Sequence, residues 1–243
     1  MDRGTIRVGT SGWHYDHWVG PFYPEGMKSG EFLDFYKDRF STTEINNSFY
    51  RLPSEKTLKV WKAKVPKGFV FAAKGSRYAT HMKKLKDPDR SVPNLYGRLR
   101  VLERKLGPVL FQLPPRWHAN PGRLEAFLSA LPKDVRAAFE FRDESWFLEE
   151  VYEALKKHGA AFCIYEYAGL TSPREVTADF VYIRLHGPDG AYQGEYGKKG
   201  LAPWARAISQ WADSGRDVYV YFDNDEQGYA PTDALRLKKM LGD

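Results

Sequence analysis

The feature that most constrains this chain is an alternation of short apolar runs with helical patterns along its 243 residues. Eight runs are rich in β-branched and aromatic residues, which predicts strands. They lie at 6–12, 42–47, 69–75, 108–114, 136–142, 160–167, 179–187 and 217–225. Because the runs are apolar on both faces, they indicate a parallel sheet, and eight is the number of strands that closes a barrel. The alternation therefore predicts an α/β fold, a (β/α)8 barrel, with an open doubly wound sheet as the alternative.

Helical patterns occupy most of the gaps between these runs. They lie at 31–40, 54–65, 94–106, 122–131, 149–159, 202–215 and 231–241. The segment TSPREVTA (171–178), after the sixth run, lacks a sustained apolar period, so we expect the weakest helix there. No Pro/Ser-rich linker, repeat or low-complexity tract divides the chain, which predicts one domain over residues 1–243.

Composition excludes several classes of protein. With 42% hydrophobic residues the chain is able to bury a full core, which excludes global disorder. Its apolar runs are too short to span a membrane and its N-terminus has no apolar signal region, so we expect a cytoplasmic protein without a membrane partner. The lone Cys163 cannot form an internal disulfide and is interpreted as a packed core thiol.

The positive charge is concentrated in one segment. Residues 74–105 hold ten Lys or Arg against Asp87, Asp89 and Glu103, a local excess of +7, whereas the whole chain carries +6. Such an excess attracts anionic partners, although helix faces rich in Lys and Arg are often simply solvated. We expect the loop cations Arg77, Lys83, Lys84 and Lys86 to lie beside the barrel mouth, and Arg98 and Arg104 to face solvent away from it.

Seven blocks of sequence resemble one known family. They are GTSGWHYDHWVGPFYP, EINNSFYRLP, THMKKL, GPVLFQLPP, FEFRDESW, ADFVYIRLHG and YVYFDNDEQGYA. In this order they resemble the YecE-like family, domain of unknown function seventy-two, and the match spans nearly the whole chain. The resemblance implies a single-domain TIM-like barrel and no agreed activity.

Strand alternation places one set of polar residues inside the predicted barrel. We expect an inward set of Glu44, Asn46, Lys74, Gln112, Glu140, Arg142, Tyr182, Arg184 and His186, with Ile45, Phe111, Phe139, Phe141, Ile183 and Leu185 facing the helices. A lumen that carries two Glu, a Lys and an Arg costs desolvation unless these groups are paired. A core ion-pair network is therefore the alternative to a functional site for Glu44 and Arg184.

The carboxyl ends of the strands carry the candidate site residues, because active sites of this fold lie there. The candidate catalytic residues are Glu140 as general acid or base, His186 and Lys74. The candidate substrate-binding residues are Trp13, Tyr15, Asn46, Asn47, Tyr50, Gln112, Arg142, Arg184, Asp223 and Asn224. His81, in the basic loop, has a surface or cap role as its alternative.

The aromatic-rich loop 9–24 after the first strand is interpreted as one wall of this site. Trp13, Tyr15 and Trp18 are bulky for a loop, which favours stacking on a flat substrate. A lid that packs only on itself is the alternative.

Absent motifs narrow the chemistry. The chain lacks GxGxxG after a strand, a phosphate loop, a GxSxG elbow and paired metal-binding Cys or HExxH spacing, so no cofactor is expected. A divalent metal held by Glu140, His186, Asp223 and Asp225 is a weaker alternative, because Lys74 and Arg184 supply positive charge there.

Three functions remain open from the sequence. The first is a hydrolase or lyase acting on an anionic, ring-containing substrate such as a nucleic acid component, nucleotide or phosphosugar. The second is a non-catalytic nucleic-acid binding protein that uses residues 74–105. The third is a glycosidase-type enzyme with Glu44 and Glu140 as its two carboxylates, which requires Glu44 to face the substrate rather than Arg184.

Overall fold

The computed structural model describes residues 2–167 and 169–242, and it confirms a single-domain, TIM-like barrel. Its strands are β1 Ile6–Thr10, β2 Thr42–Ile45, β3 Val70–Lys74, β4 Leu106–Gln112, β5 Ala137–Glu140, β6 Ala161–Tyr167, β7 Leu170–Thr171, β8 Phe180–Leu185 and β9 Asp217–Phe222. Eight of them pair in parallel in the order β1-β9-β8-β6-β5-β4-β3-β2, and the short β7 pairs antiparallel with β6. All eight runs predicted from the sequence are strands of the barrel.

The barrel is nearly closed, and the seam lies between β1 and β2. A single parallel bridge joins Ser11 to Glu44, and the Gly12 amide donates to the Glu44 carbonyl at 2.8 Å. Gly9 permits the close approach, because a Cβ there would lie 2.3 Å from the carbonyl oxygen of Thr42. The seam therefore brings the first residue after β1 directly beside a buried carboxylate of β2.

The helices surround the barrel. They are α1 Phe32–Tyr36, α2 Glu55–Lys64, α3 Pro88–Leu99, α4 Pro121–Ala130, α5 Glu149–His158, α6 Gly197–Asp213 and α7 Tyr229–Leu241. Helix α3 begins at Pro88 rather than at Asn94, because proline is well tolerated in a first helical turn. Over the described residues between β6 and β8, which exclude residue 168, β7 takes the place of the weak helix expected there.

Two apolar layers confirm the predicted alternation of side chains. Phe111, Phe139 and Ile183 point outward and pack with the helices, as expected. The inner layer joins the small residues Ala72, Ala138 and Ala161 to larger tyrosines, including Tyr182, Tyr219 and Tyr221. Small residues on β3, β5 and β6 leave room in the lumen for the tyrosines of β8 and β9, which form the floor of the mouth above them.

The amino-terminal end of the barrel is covered by an ion pair. Arg136 donates to the Asp217 carboxylate at 2.6 Å and to the Tyr219 hydroxyl at 3.3 Å.

Cys163 is wholly buried in the inner layer, and burial raises the pKa of its thiol well above the usual value, as suits a core residue. Among the described residues, no helix is both long and apolar enough to cross a membrane.

Candidate functional site at the barrel mouth

Arg184 of β8 lies at the centre of a buried ion network. Its Nη2 donates to Glu44 Oε1, to Asp223 Oδ2 and to Ser11 Oγ, each at 2.9 Å. Its Nη1 donates to Glu140 Oε2 at 3.0 Å. Arg184 is only 1% exposed, so this guanidinium is held entirely by the protein.

Two carboxylates of this network, Glu140 and Asp223, are held in the ionised form. Burial opposes ionisation of Glu140, but Arg142 and Arg184 outweigh burial and hold its pKa well below the usual value. Burial likewise opposes ionisation of Asp223, but Arg184, His186 and Lys74 together outweigh it and lower its pKa. The general-acid role expected for Glu140 requires a protonated carboxyl group, which this environment disfavours.

Glu44 belongs to the core. Besides Arg184, its carboxylate accepts a hydrogen bond from the Tyr182 hydroxyl at 2.6 Å and a short one from Ser11 Oγ. The side chain has no exposed surface. Because Glu44 faces Arg184 rather than open space, the structure does not support its use as the second carboxylate of a glycosidase.

His186, immediately after β8, lies beneath Arg142 and is wholly buried. Its Nε2 receives Arg142 Nη2 at 2.9 Å and Arg184 Nη1 at 3.3 Å. An acceptor at Nε2 assigns the ring proton to Nδ1, which lies 3.1 Å from Asp223 Oδ2. His186 therefore positions Arg142 and has no surface of its own for a substrate.

Arg142 forms the upper edge of the network. Its Nε donates to Glu140 through a short hydrogen bond, and its guanidinium stacks 4.0 Å from the centre of the Tyr167 ring and 4.9 Å from that of Tyr165. Within the described part of the chain, Nη1 has no hydrogen-bond partner. Arg142 therefore keeps a donor available at the mouth.

Lys74, the last residue of β3, differs from every other charged group of the lumen. It is 8% exposed, yet its ammonium has no carboxylate or hydrogen-bond partner among residues 2–167 and 169–242. Burial, followed by the charge of Arg184, lowers its pKa, and Glu140 offsets only part of that effect. The amine is consequently easier to deprotonate than that of an ordinary lysine.

The Phe49 ring covers Lys74 on one side and itself contacts His81. Its Nζ lies 4.6 Å from the centre of the Phe49 ring, and Phe49 contacts the His81 ring edge-on at 4.9 Å. Burial, then the charges of Lys74 and Arg77, lower the pKa of His81 to about 4. His81 is thus a neutral neighbour of the lysine rather than a free surface group, and the sequence analysis did not identify Phe49 at all.

The aromatic loop forms a wall only in part. Trp13 is buried in the helical layer, where it packs edge-on against Trp61 of α2 at 4.8 Å, and its ring has little free surface for the stacking on a substrate expected from the sequence. Trp18 is wholly buried and its indole donates to Asp225 at 2.5 Å. Trp18 packs on Phe22 and Tyr23 of its own loop, in agreement with the alternative of a loop packed on itself, whereas Trp13 packs on α2 and β3.

Tyr15 is the residue of this loop that reaches the mouth. Its hydroxyl donates to the Ser11 carbonyl at 2.7 Å. Burial raises the pKa of its phenol, and the neighbouring carboxylates Asp223 and Asp225 raise it further. Tyr15 therefore stays protonated and lies beside the Arg184 network, and its role in binding a substrate stays a prediction.

The remaining candidates divide between the mouth and its surroundings. Gln112 ends β4 beside Glu140, and its side-chain amide has no partner within the described residues. Asn46 follows β2 and is half-buried, whereas Asn47 is exposed and Tyr50 is 80% exposed on the outer side of that loop. Only Gln112 and Asn46 of this set are consistent with a place at the mouth.

Asn224 was expected to bind substrate but has a structural position. It is wholly buried, and its amide donates to the Gly194 carbonyl and to the Asp233 carboxylate, both at 2.9 Å. These bonds fasten the glycine-rich loop before α6 to α7. The polar residues at the end of β9 therefore have two different roles. Asp223 binds Arg184 in the ion network, whereas Asn224 holds neighbouring segments together.

The hypothetical metal ligands do not converge. Arg184 and Arg142 lie among Glu140, His186 and Asp223, while Asp225 contacts Trp18 and His17 instead. In the part of the chain that the structure describes, no group of three or more His, Cys, Asp or Glu side chains is placed to hold a metal ion.

Fold and site together define a class: a single-domain (β/α)8 barrel with a charged cluster at its carboxyl-terminal mouth. The model of the family described as "Protein of unknown function DUF72" matches residues 7–243, and the chain belongs to this family. The family resemblance of the sequence blocks is thereby confirmed.

Related proteins agree with this assignment. UPF0759 protein YunF of Bacillus subtilis (strain 168) is 25% identical over 270 residues, covering 97% of this chain and 94% of that protein. The crystal structure of a DUF72 family protein from Thermotoga maritima is 30% identical, with a TM-score of 0.89 over 98% of this chain and 100% of that one. A DUF72 family protein from Enterococcus faecalis, 19% identical, has the same fold with a TM-score of 0.83 over 100% and 99% of the two chains.

Proposed function

We propose that the barrel mouth is the active site of a lyase that acts on an anionic, ring-containing substrate. The observation that carries the proposal is the unpaired Lys74 amine, which is buried at the end of a barrel strand and has a lowered pKa. Burying a cation without a partner is costly, and such costs are retained where a ligand or a reaction uses the group.

Lys74 is the proton acceptor in this proposal. Its free amine takes a proton from a carbon next to a carbonyl or carboxylate, the electrons of that C–H bond form a double bond, and the leaving group departs with its own bonding pair. The Nη1 donor of Arg142 and the Gln112 amide bind the anionic part of the substrate. Lyase chemistry is favoured over hydrolysis because Glu140 and Asp223 are ionised and capped by guanidinium groups, which leaves neither of them suited to activate water.

A substrate panel tests the proposal. Nucleotides, sugar phosphates and uronic acid glycosides are incubated with the protein, and elimination is followed by the absorbance of the new conjugated double bond. Turnover by the wild type that disappears in Lys74→Met and persists in Arg206→Met supports the proposal, since Arg206 is exposed on α6 on the opposite side of the barrel. Turnover that survives in Lys74→Met contradicts it.

Nucleic-acid binding is the second candidate, favoured by the loop cations after β3. Arg77, Lys84 and Lys86 are exposed without an acidic partner in the described chain, whereas Lys83 is paired with Asp87 at 3.0 Å. Affinity for single-stranded and duplex DNA and RNA across a salt series tests this function. Loss of both cations in Lys84→Ala/Lys86→Ala should lower the log-log salt slope by roughly one unit per lost phosphate contact, and no binding at low salt eliminates it.

A further inference from the structure

A groove beside the barrel mouth is separate from the Lys74 site. It lies between the loop after β2 and helix α3, has a volume of about 730 Å³, and is called the Arg90 groove below. Its lining includes Arg51, Arg90, Arg98, Tyr50, Tyr78 and Asn94. Its size falls within the roughly 300–1,000 Å³ typical of small-molecule sites.

The positive charge of the groove is not balanced by acidic residues in its described lining. None of the lining residues within the described chain is acidic. The guanidinium groups of Arg51 and Arg90 make no hydrogen bond or ion pair with residues 2–167 and 169–242, and that of Arg98 uses one donor on the Pro53 carbonyl at 3.2 Å. Arg98 was expected to face solvent away from the mouth, but it is half-buried in this groove. The groove therefore has three arginines and no carboxylate in its described lining, a composition that suits a multiply charged anion.

Aromatic surface adjoins these cations. Tyr50 is 80% exposed and Tyr78 is 37% exposed, so both rings present open apolar surface in the lining of the groove. Ser76, Ser91 and Asn94 add neutral hydrogen-bonding groups to the same lining. The groove therefore offers a flat apolar face next to a site for a doubly charged group.

We propose that the Arg90 groove binds a phosphate monoester of a small ring-bearing molecule, with its phosphate on Arg51, Arg90 and Arg98 and its ring against Tyr50. A nucleoside monophosphate and a sugar phosphate share this chemistry. Phe49 separates the groove from Lys74, because its ring lies over Nζ at 4.6 Å while the same residue also lines the groove. The proposal does not rest on the proposed lyase activity.

Isothermal titration calorimetry of the full chain at low salt tests the proposal, with AMP, ribose 5-phosphate and adenosine as probes. We expect both phosphates to bind, adenosine to bind at least tenfold more weakly than AMP, and Arg90→Ala to weaken the binding of both phosphates by about tenfold, since a charged hydrogen bond is lost. Arg206→Ala, which removes an equally exposed arginine from α6, is the matched control and should bind like the wild type.

Further variants distinguish a nucleotide ligand from a sugar phosphate, and they distinguish binding in the Arg90 groove from binding at the barrel mouth. If Tyr50→Ala weakens AMP but not ribose 5-phosphate, the ligand is a nucleotide; if it weakens both equally, the ring recognised is the sugar. Binding that persists in Lys74→Met shows that the groove is independent of the mouth. The proposal is overturned if neither phosphate binds, if adenosine binds as tightly as AMP, or if Arg90→Ala and Arg51→Ala both retain the affinity of the wild type.

Discussion

Two cationic side chains of one lumen, Arg184 and Lys74, have opposite surroundings. Arg184 is bonded to Glu44, Glu140 and Asp223, and every one of these contacts is internal. Lys74 is nearly as well buried but faces an aromatic ring and no carboxylate within the described residues. The comparison shows that burial alone does not mark a functional group, because both residues are buried.

Arg184 and Lys74 differ in whether their charged groups have partners within the protein. In the Arg184 network both terminal nitrogens of the guanidinium are bound to protein groups, which favours one arrangement of the strand ends. Arg184 Nε and His186 Nδ1 have no hydrogen-bond partner within the described residues, but both atoms are buried. An unpaired buried amine lowers stability in the free protein and gains partners when a ligand arrives. Arg184 thus shapes the mouth, and Lys74 is the residue that we propose to act there.

The largest expected effect is on stability in Arg184→Met. Removing the guanidinium leaves three buried carboxylates without their shared cation, so the free energy of unfolding should fall by at least about 3–5 kcal/mol. Urea unfolding followed by circular dichroism measures this change, with Arg206→Met as the control. A loss below about 1 kcal/mol would show that the network is not the structural element described here.

Replacing Trp13 and Tyr50 by alanine compares a buried aromatic residue with an exposed one. Trp13 fills space between β1, Trp61 and Phe71, so its removal should cost about 3 kcal/mol of unfolding free energy. The exposed Tyr50 should change stability by less than about 0.5 kcal/mol when replaced by alanine. Thermal and urea unfolding of the two variants check the contrast, and equal losses would contradict it.

Lys74→Met should act in the opposite sense to Arg184→Met. Methionine retains most of the apolar stem and removes the unpaired charge, so unfolding free energy should stay the same or rise, by about 1 kcal/mol. The same urea experiment measures it. A loss comparable to that of Arg184→Met would mean that Lys74 is a structural cation with a partner in solution.

The smallest effect concerns His81 and pH. Its folded-state pKa of about 4 lies below the ordinary 6.5, so its neutral form stabilises the fold above pH 6.5, and this contribution is lost as the pH falls through about 4. His81→Asn should flatten the decline of stability over this range by less than about 1 kcal/mol, because the ring is only half-buried. Unfolding at several pH values measures it, with the exposed His14→Asn as the control; identical pH profiles for wild type and His81→Asn would contradict this assignment.

Much of the barrel was predictable from local pattern. The two-residue period of the strands indicates which residues face inward, so the sequence alone correctly assigns Glu44, Lys74, Glu140 and Arg184 to the lumen. Helix boundaries were less accurate, as α3 shows, because Pro88 is compatible with either a loop or a first helical turn.

The sequence does not predict which side chains at the mouth bond to one another, and these contacts distinguish structural residues from candidate binding residues. Sequence spacing places Glu140 and His186 at strand ends but does not reveal that guanidinium groups cover both. Trp13 looks like a binding residue in sequence, and only its contact with Trp61 across α2 shows that it is core. The signal for Phe49 was present as the aromatic pair SFY after β2, although its position over Lys74 depends on the tertiary fold.

Titration of the Lys74 amine shows whether this lysine is buried without a partner for its charge. The ε-methylene signal of Lys74, assigned by its loss in Lys74→Met, is followed by carbon-13 NMR as the pH is raised. The account predicts a midpoint below the ordinary lysine value of 10.5, because the amine is buried without a carboxylate partner. A midpoint at or above 10.5 would contradict it, since Lys74 would then have a partner that stabilises its charge.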